Sequence, residues 1–496
     1  MTHQTPPRAR LSLVPAAALL SALAGCNVGP DYAPPKIDTP SGWSEPSGAP
    51  GLQADLSRWW TTLNDPVLDG LVARAIAGNF DLRYAEQRVA EARALRRGAE
   101  AGGLPTLDAN GTYQRERRSS DLAQLPAGVR NRAGDFYAVG FDASWELDVW
   151  GAVRRAVESA DATIASAEDY RRDVMVALAS EVARNYIDLR AFQQRIAIAR
   201  QNIAAQEETL KLTEARFKAG ITSELDVTRA RSNLETTRSV VPSFETGVRF
   251  AQHRIAVLLG RFPAELIAEL DAPAPIPAAQ AAVPAGLPSD LLRRRPDIRG
   301  AERDLAAQNA LIGVAVADLY PRFSLNGSIG LQAGQIGNLF DATSRAYTAG
   351  PAITWRIFDG GRIRANIEVQ ETRTRQLLEI YQGVVVRAVE DVENALVAHA
   401  REQVRRRSLA LAVDAAKRSV ELAESLYSKG LTDFQNVLDA QRSLFSLQDQ
   451  LVESEGVLSA NLVAIYKALG GGWTDEPAAT TAPSAAPPGA PAPARG

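Results

Sequence analysis

One cysteine, Cys26, stands in the whole chain, so no disulfide can form within it. Histidine is almost as scarce. His3 lies in the leader, while His253 and His399 fall inside helical patterns and read as ordinary helix side chains. No P-loop, no Cys/His metal spacing and no nucleophile elbow occurs, which argues against an enzyme and against a cofactor or metal. Aromatic residues make up only 6%, too few for an aromatic-rich sandwich, and the composition points to a helical protein. The formal charge is −3 without a dominant basic patch, which excludes nucleic acid as the natural partner. The short runs Arg293–Arg295 and Arg405–Arg407 read as solvated helix faces. Beyond the N-terminus no apolar run approaches the ~20 residues of a spanning helix. A membrane can then be met only through a barrel or an anchor.

Proline and glycine are missing over long tracts. No proline lies between Pro126 and Pro242 or between Pro351 and Pro477, and no glycine between Gly151 and Gly220. The 68 residues 152–219 are matched by 362–429, interrupted only by Gly383. Each would make a helix of roughly 100 Å. Apolar residues recur every seventh position in Val182, Leu189, Ile196, Ile203, Leu210 and Phe217, and again in Val227, Leu234, Val241, Val248 and Ile255. Val437, Leu444, Leu451, Leu458 and Ile465 follow the same spacing. Such a period makes helices supercoil with their neighbours. Gly220 and Gly430 mark the turns of two helical hairpins, and Pro242, absent from the second copy, marks a place where the first return helix can kink.

The chain carries this plan twice. Asp81–Pro105 aligns with Asp297–Pro321 at an offset of 216, with 10 of 25 positions identical, and from Trp145/Trp355 onward the offset is 210. Between these stretches the period changes to two. Leu107, Ala109, Tyr113; Tyr137, Val139, Phe141, Trp145, Leu147; Phe323, Leu325, Ile329, Leu331; and Tyr347, Ile353, Trp355, Ile357 alternate with polar residues. That pattern suits either a half-buried sheet or, more sharply, barrel strands with one face to lipid and one to water. Trp145 and Trp355 then sit at the membrane interface. Four strands cannot close a membrane barrel, and open edges are not tolerated in lipid. Other subunits must complete it.

The expected layout is a signal peptide at 1–25, a lipidated N-terminal segment with a first short helix at 26–80, and repeat 1 at 81–260. Repeat 1 holds strands near 106–118 and 136–148, a long helix near 151–219 and a return helix near 223–259. A Pro/Ala-rich linker covers 261–296. Repeat 2 spans 297–472, with strands near 322–332 and 346–358 and helices near 361–429 and 433–470. A disordered Pro/Ala tail fills 473–496. Arg8 and Arg10, an apolar stretch too short to span a bilayer, and Leu23-Ala24-Gly25-Cys26 resemble a lipoprotein signal. Cys26 is the expected site of diacylglycerol and palmitoyl attachment, and Asn27 after it implies the outer membrane.

Several further motifs carry a family likeness: Cys26-Asn27-Val28-Gly29-Pro30-Asp31-Tyr32, Trp59-Trp60 with Leu63-Asn64-Asp65-Pro66, Asn79-Phe80-Asp81-Leu82, Arg293-Arg294-Arg295-Pro296-Asp297-Ile298, and Tyr427-Ser428-Lys429-Gly430 with Val437-Leu438-Asp439-Ala440-Gln441. From residue 26 to about 472 the chain resembles the TolC-like outer-membrane efflux proteins, in particular their OprM-like or NodT-type lipoprotein branch. The resemblance implies a mainly α protein with a membrane β-barrel. Its homotrimer joins a 12-stranded barrel to a periplasmic α-barrel and forms the exit duct of a tripartite pump. The implied partners are a periplasmic membrane-fusion adaptor, an inner-membrane resistance-nodulation-division transporter and outer-membrane lipid. Asp439 and Tyr427 match the family's aperture positions, although a second acidic ring of some members falls on Asn436 and their basic partners on Leu426 or Thr432. The turn tips Gly220, Ile221, Thr222, Gly430, Leu431 and Thr432 are candidates for adaptor contact. Two rivals share parts of the pattern: the duct of a type I protein-secretion system, and a structural coiled-coil lipoprotein.

Overall fold

The computed structural model describes residues 27–44, 56–117, 133–278 and 288–474. Cys26, the signal segment and nearly all of the tail expected to be disordered lie outside them. The chain is mainly helical. In order it contains α1 (Pro66–Gly78), α2 (Phe80–Ala101), β1 (Thr106–Glu116), β2 (Gly134–Leu147), α3 (Ala152–Lys218), α4 (Glu224–Leu258), α5 (Pro296–Ala317), β3 (Arg322–Ala333), β4 (Arg345–Thr354), α6 (Arg362–Ser428) and α7 (Phe434–Ala468). α3 and α6 have 67 residues each, and α4 and α7 have 35 each. Among the described residues no helix is long and apolar enough to cross a membrane.

Local signals explain the helix ends. Asp65 Oδ1 accepts from the amides of Val67 and Leu68 at 2.9 and 3.2 Å, capping α1, and Asn79 Oδ1 accepts from Leu82 at 2.9 Å, capping α2. α4 runs through Pro242 as one assigned helix.

The chain divides into two compact units, and each takes segments from both halves of the sequence. The first unit contains residues 76–174 and 286–398 together with the N-terminal segment. Its four-stranded antiparallel sheet has the order β1-β2-β3-β4. The register sets Ala109, Phe141, Ile329 and Tyr347 in one row, and Asp108, Asp142, Ser328 and Thr348 in the next. Because side chains alternate with period two, the apolar and polar residues separate onto opposite faces across all four strands. β4 ends at Thr354, short of the expected 358, because β3 begins at Arg322 and offers nothing to pair with Trp355 onward.

Residues 27–44 cross this unit as an extended segment, and Arg155 holds them. The Arg155 side chain is 2% exposed and donates to Val28 O (3.1 Å), Gly29 O (3.3 Å), Asp31 (2.7 Å) and Glu158 (2.8 Å). The segment lies so close that a Cβ on Gly29 would meet Gly313 Cα at 2.4 Å. The amide of Val28 donates to Trp150 O (3.2 Å) and that of Ser44 to Glu393 (2.9 Å). Arg295 departs from the solvated reading: its side chain is 13% exposed and bonded to Asp297 (2.7 Å) and Asp391 (2.9 Å). Two carboxylates there supply the compensation a desolvated guanidinium requires. Burial also raises the Asp169 carboxyl, against the opposing pull of Arg172 and Arg299.

The second unit contains residues 48–75, 175–285 and 399–496. Buried Trp59 stacks on Tyr466 with ring centroids 5.1 Å apart. Buried Tyr186 donates to Asp65 (2.8 Å), and burial pushes its hydroxyl pKa up to about 12. Arg190 and Gln193 donate to the carbonyls of Ala272 (2.7 Å) and Leu270 (2.9 Å), fastening the linker to α3.

Candidate channel aperture at the helix turns

Both long helices end in the same way. The amide of Gly220 donates to Phe217 O and that of Ile221 to Arg216 O, each at 2.9 Å. The amides of Gly430 and Leu431 repeat this on Tyr427 O and Leu426 O, again at 2.9 Å. Gly220 and Gly430 have φ of 70° and 73°, a left-handed conformation that glycine adopts without steric cost. Each turn then starts the return helix: Thr222 donates to Asp226 at 2.5 Å, and Asn436 to Thr432 at 2.7 Å.

The two turns belong to one packed end. Tyr427 is buried in an apolar cluster with Ala230, Phe434, Val437 and Leu438. Its ring lies 5.2 Å from that of Phe434, and the Arg216 guanidinium sits 4.7 Å from its centroid. Arg216 also donates to Tyr427 O (3.1 Å) and Ser428 O (3.2 Å), the terminal carbonyls of α6. A cation there satisfies orphan acceptors and meets the negative end of the helix dipole, while its face contact with Tyr427 adds a cation–π attraction. Among the described residues the buried Tyr427 hydroxyl has no hydrogen-bond partner.

A polar layer follows the apolar one. Gln441 donates to Thr209 (2.8 Å) and Glu424 (3.0 Å), and Arg442 to Asn233 (2.9 Å). Asp439 stands outside both layers. It is exposed and accepts from Gln435 at 3.0 Å. The candidate aperture residues are thus separated, with Tyr427 inside the bundle and Asp439 on its surface. Ile221 and Leu431 project into solvent, 63% and 70% exposed, beside exposed Gly220 and Gly430, while Thr222 and Thr432 are half-buried.

The candidate interface tryptophans lie in the first unit. Trp145 Nε1 donates to Gly103 O (2.9 Å) and Trp355 Nε1 to Leu319 O (3.0 Å), and both rings are exposed. Trp145 is within β2, and Trp355 lies one residue past β4.

The family model for outer membrane efflux proteins matches residues 71–261 and 287–471. The chain belongs to the outer membrane efflux protein family. That is a transport family, and the matched stretches break where the linker between the two sequence copies falls. This efflux protein is 34% identical over 456 residues to nodulation protein T of Rhizobium leguminosarum bv. trifolii, across 91% of this chain and 95% of the relative. It is equally identical over 473 residues to the solvent efflux pump outer membrane protein SrpC of Pseudomonas putida, across 93% and 98% of the two chains. Among solved structures, the outer-membrane channel OprN superposes with a TM-score of 0.83 at 38% identity, covering 90% of this chain and all of that one.

Sequence reasoning passed over Arg216 in the efflux protein. It sought a basic aperture residue beside Tyr427 at Leu426 on α6 or at Thr432 in the turn after it, whereas the residue comes from the end of α3. The signal available was its place in the last turn before Gly220, where a cation suits a helix terminus.

Proposed function

We propose that this chain is the exit duct of a tripartite efflux pump. Three copies close a 12-stranded barrel in the outer membrane and continue as a helical barrel in the periplasm. Small molecules or drugs pass from an inner-membrane resistance-nodulation-division transporter, through a periplasmic adaptor and this duct, to the exterior. The duct itself hydrolyses nothing and needs no cofactor. Acylation of Cys26 tethers it, and Trp145 and Trp355 lie at the membrane interface.

The observation that carries this reading is the sheet. Its apolar face spans four strands and is exposed, and both outer strands lack a partner on one side within the described chain. A soluble sheet would cover that face, whereas a lipid-facing barrel wall requires it. Membership of an outer membrane efflux family and the likeness to a channel support the same direction.

In the second unit the turns form the closable aperture. Tyr427, clamped between Arg216 and Phe434, holds α6 against its neighbours, and three copies of Asp439 form a ring that attracts cations. The exposed tips at Gly220–Thr222 and Gly430–Thr432 meet the adaptor. The orphaned Tyr427 hydroxyl costs about 1–3 kcal/mol in this packing, and opening the turn would hydrate it.

Planar-bilayer recording of the purified, reconstituted protein tests this. The wild type should conduct weakly, Arg216→Ala should raise resting conductance, and Asp439→Ala should weaken cation preference. Absence of channels from reconstituted trimers would refute the duct, and unchanged selectivity in the Asp439 variant would remove that residue from the aperture.

A further inference from the structure

The sheet contains one seam of a special kind, between β2 of the first sequence copy and β3 of the second. The hairpin registers obey the offsets of the sequence repeat. Thr106 pairs with Ser144, and moving these positions by 216 and 210 gives Arg322 and Thr354, which are also paired. β4 is therefore the counterpart of β2, and β1 the counterpart of β3. β2 has a partner on each side; the outer edges of β4 and β1 have none among the described residues.

We infer that β4 of one copy pairs antiparallel with β1 of the next in the register of the β2–β3 seam, with Thr354 opposite Asn110, Trp355 opposite Ala109 and Arg356 opposite Asp108. This rests on the ring of copies proposed above and fixes how that ring closes. The pairs follow from moving Ser144↔Asn326, Trp145↔Leu325 and Glu146↔Ser324 by the same offsets.

Three independent features fit this register. The first is the strand length: β2 runs to Leu147, but β4 stops at Thr354 although Trp355, Arg356 and Ile357 continue its alternation. Pairing with a neighbouring β1 gives those three residues the partners that β3 gives Trp145, Glu146 and Leu147. Trp355 is already held as Trp145 is, through its indole to a backbone carbonyl. The second is side-chain chemistry. Ser144 Oγ donates to Asn326 Oδ1 at 2.9 Å, and its counterpart keeps the same types, a Thr354 hydroxyl facing the Asn110 amide. The third is charge. Asp108 lies directly opposite Asp142 in the chain, an unfavourable like-charge pair. Arg356 from the next copy sets a cation on the other side of Asp108. A slip by one residue would place apolar side chains on the polar face, so only shifts of two compete.

Disulfide trapping in the full-length protein decides among them. Thr354→Cys is combined in turn with Asn110→Cys, Asp108→Cys or Thr112→Cys, with Thr354→Cys alone controlling for Cys26. Directly opposed Cβ atoms lie about 5 Å apart and two-residue shifts about 7–8 Å, beyond disulfide reach. On mild oxidation the Asn110 pairing should shift the monomer band to covalent dimer and trimer, with the other pairings leaving it in place. A ladder from the Asp108 or Thr112 pairing instead would overturn the register while leaving the ring intact. No ladder from any pairing, in protein that sediments as a trimer, would overturn the β4–β1 seam. Protein that sediments as a monomer before oxidation would overturn the ring, and this register with it.

Discussion

Replacing Arg155 by methionine should release the N-terminal segment while leaving the helices folded. The guanidinium is almost fully buried, while the two carbonyls that tie it to the segment, Val28 O and Gly29 O, are only partly so. Bonds from a charged donor are worth about 1.5–3 kcal/mol each, and the lower figure suits these part-buried ones, so losing both costs about 3 kcal/mol. The Asp31 partner adds little, because its side chain is 92% exposed and such a pair contributes about 0.5 kcal/mol. Methionine still covers Gly313 with its stem, limiting the packing loss. At 1.4 kcal/mol per decade, the undocked population of residues 27–33 should rise about 100-fold. Hydrogen exchange read on peptides from this segment measures that directly, since the Val28 amide is protected only while it donates to Trp150 O. Asp31→Asn should accelerate the same exchange by less than about threefold. Exchange in Arg155→Met within about threefold of wild type would refute the argument, as would an equal effect from Asp31→Asn.

Other perturbations follow from the same geometry. Tyr427→Phe removes a buried hydroxyl without a partner and keeps the ring contacts, so stability should hold or rise by about 1 kcal/mol. A clear fall in the denaturation midpoint would show that the hydroxyl is bonded. Gly430→Ala should cost about 1 kcal/mol at φ 73°, whereas Gly383→Ala, in the interior of α6 where a Cβ would meet the Arg387 guanidinium at an unstrained 3.7 Å, should gain a similar amount. Thermal melts of the two variants moving in the same direction would contradict this. Burial raises the Asp188 carboxyl above its ordinary value, with Arg184 opposing. Between the unfolded and folded pKa values the native state binds more protons, so this group makes stability fall as pH rises through that window. Asp188→Asn should melt higher than wild type above the window and lose the advantage below it; a lower melting point at neutral pH would count against the assignment.

The long helices were legible because the signals for them are periodic and local. A tract without proline or glycine, ended by Gly220 or Gly430, has few alternatives to a helix. The sheet faces were legible for the same reason: alternation at Tyr137, Val139 and Phe141 survives any choice of partner strand. What escaped the sequence were contacts between residues distant in the chain. Arg155 sits in a helix full of arginines, and nothing local separates a buried one from a solvated one. Arg295 looks solvated for that reason: Asp297 is a local partner, but its second carboxylate, Asp391, lies far along the chain. Arg216 belongs to one copy and caps the helix of the other, and no period within either copy encodes that pairing. β4 erred in the opposite direction: its alternation continues to Ile357, but its partner in the chain begins at Arg322.

The bridge from Arg216 to the carbonyls of Tyr427 and Ser428 couples the lengths of the two helical hairpins. α3 and α6 match residue for residue, as do α4 and α7, and both glycine turns arrive at one level. Deleting a heptad from one hairpin alone would withdraw its turn by about 10 Å, far beyond the reach of Arg216. Deleting the same heptad from both would keep the bridge. Evolution can therefore lengthen or shorten this part of the molecule only in matched steps, so the two halves of the gene are bound to change size together.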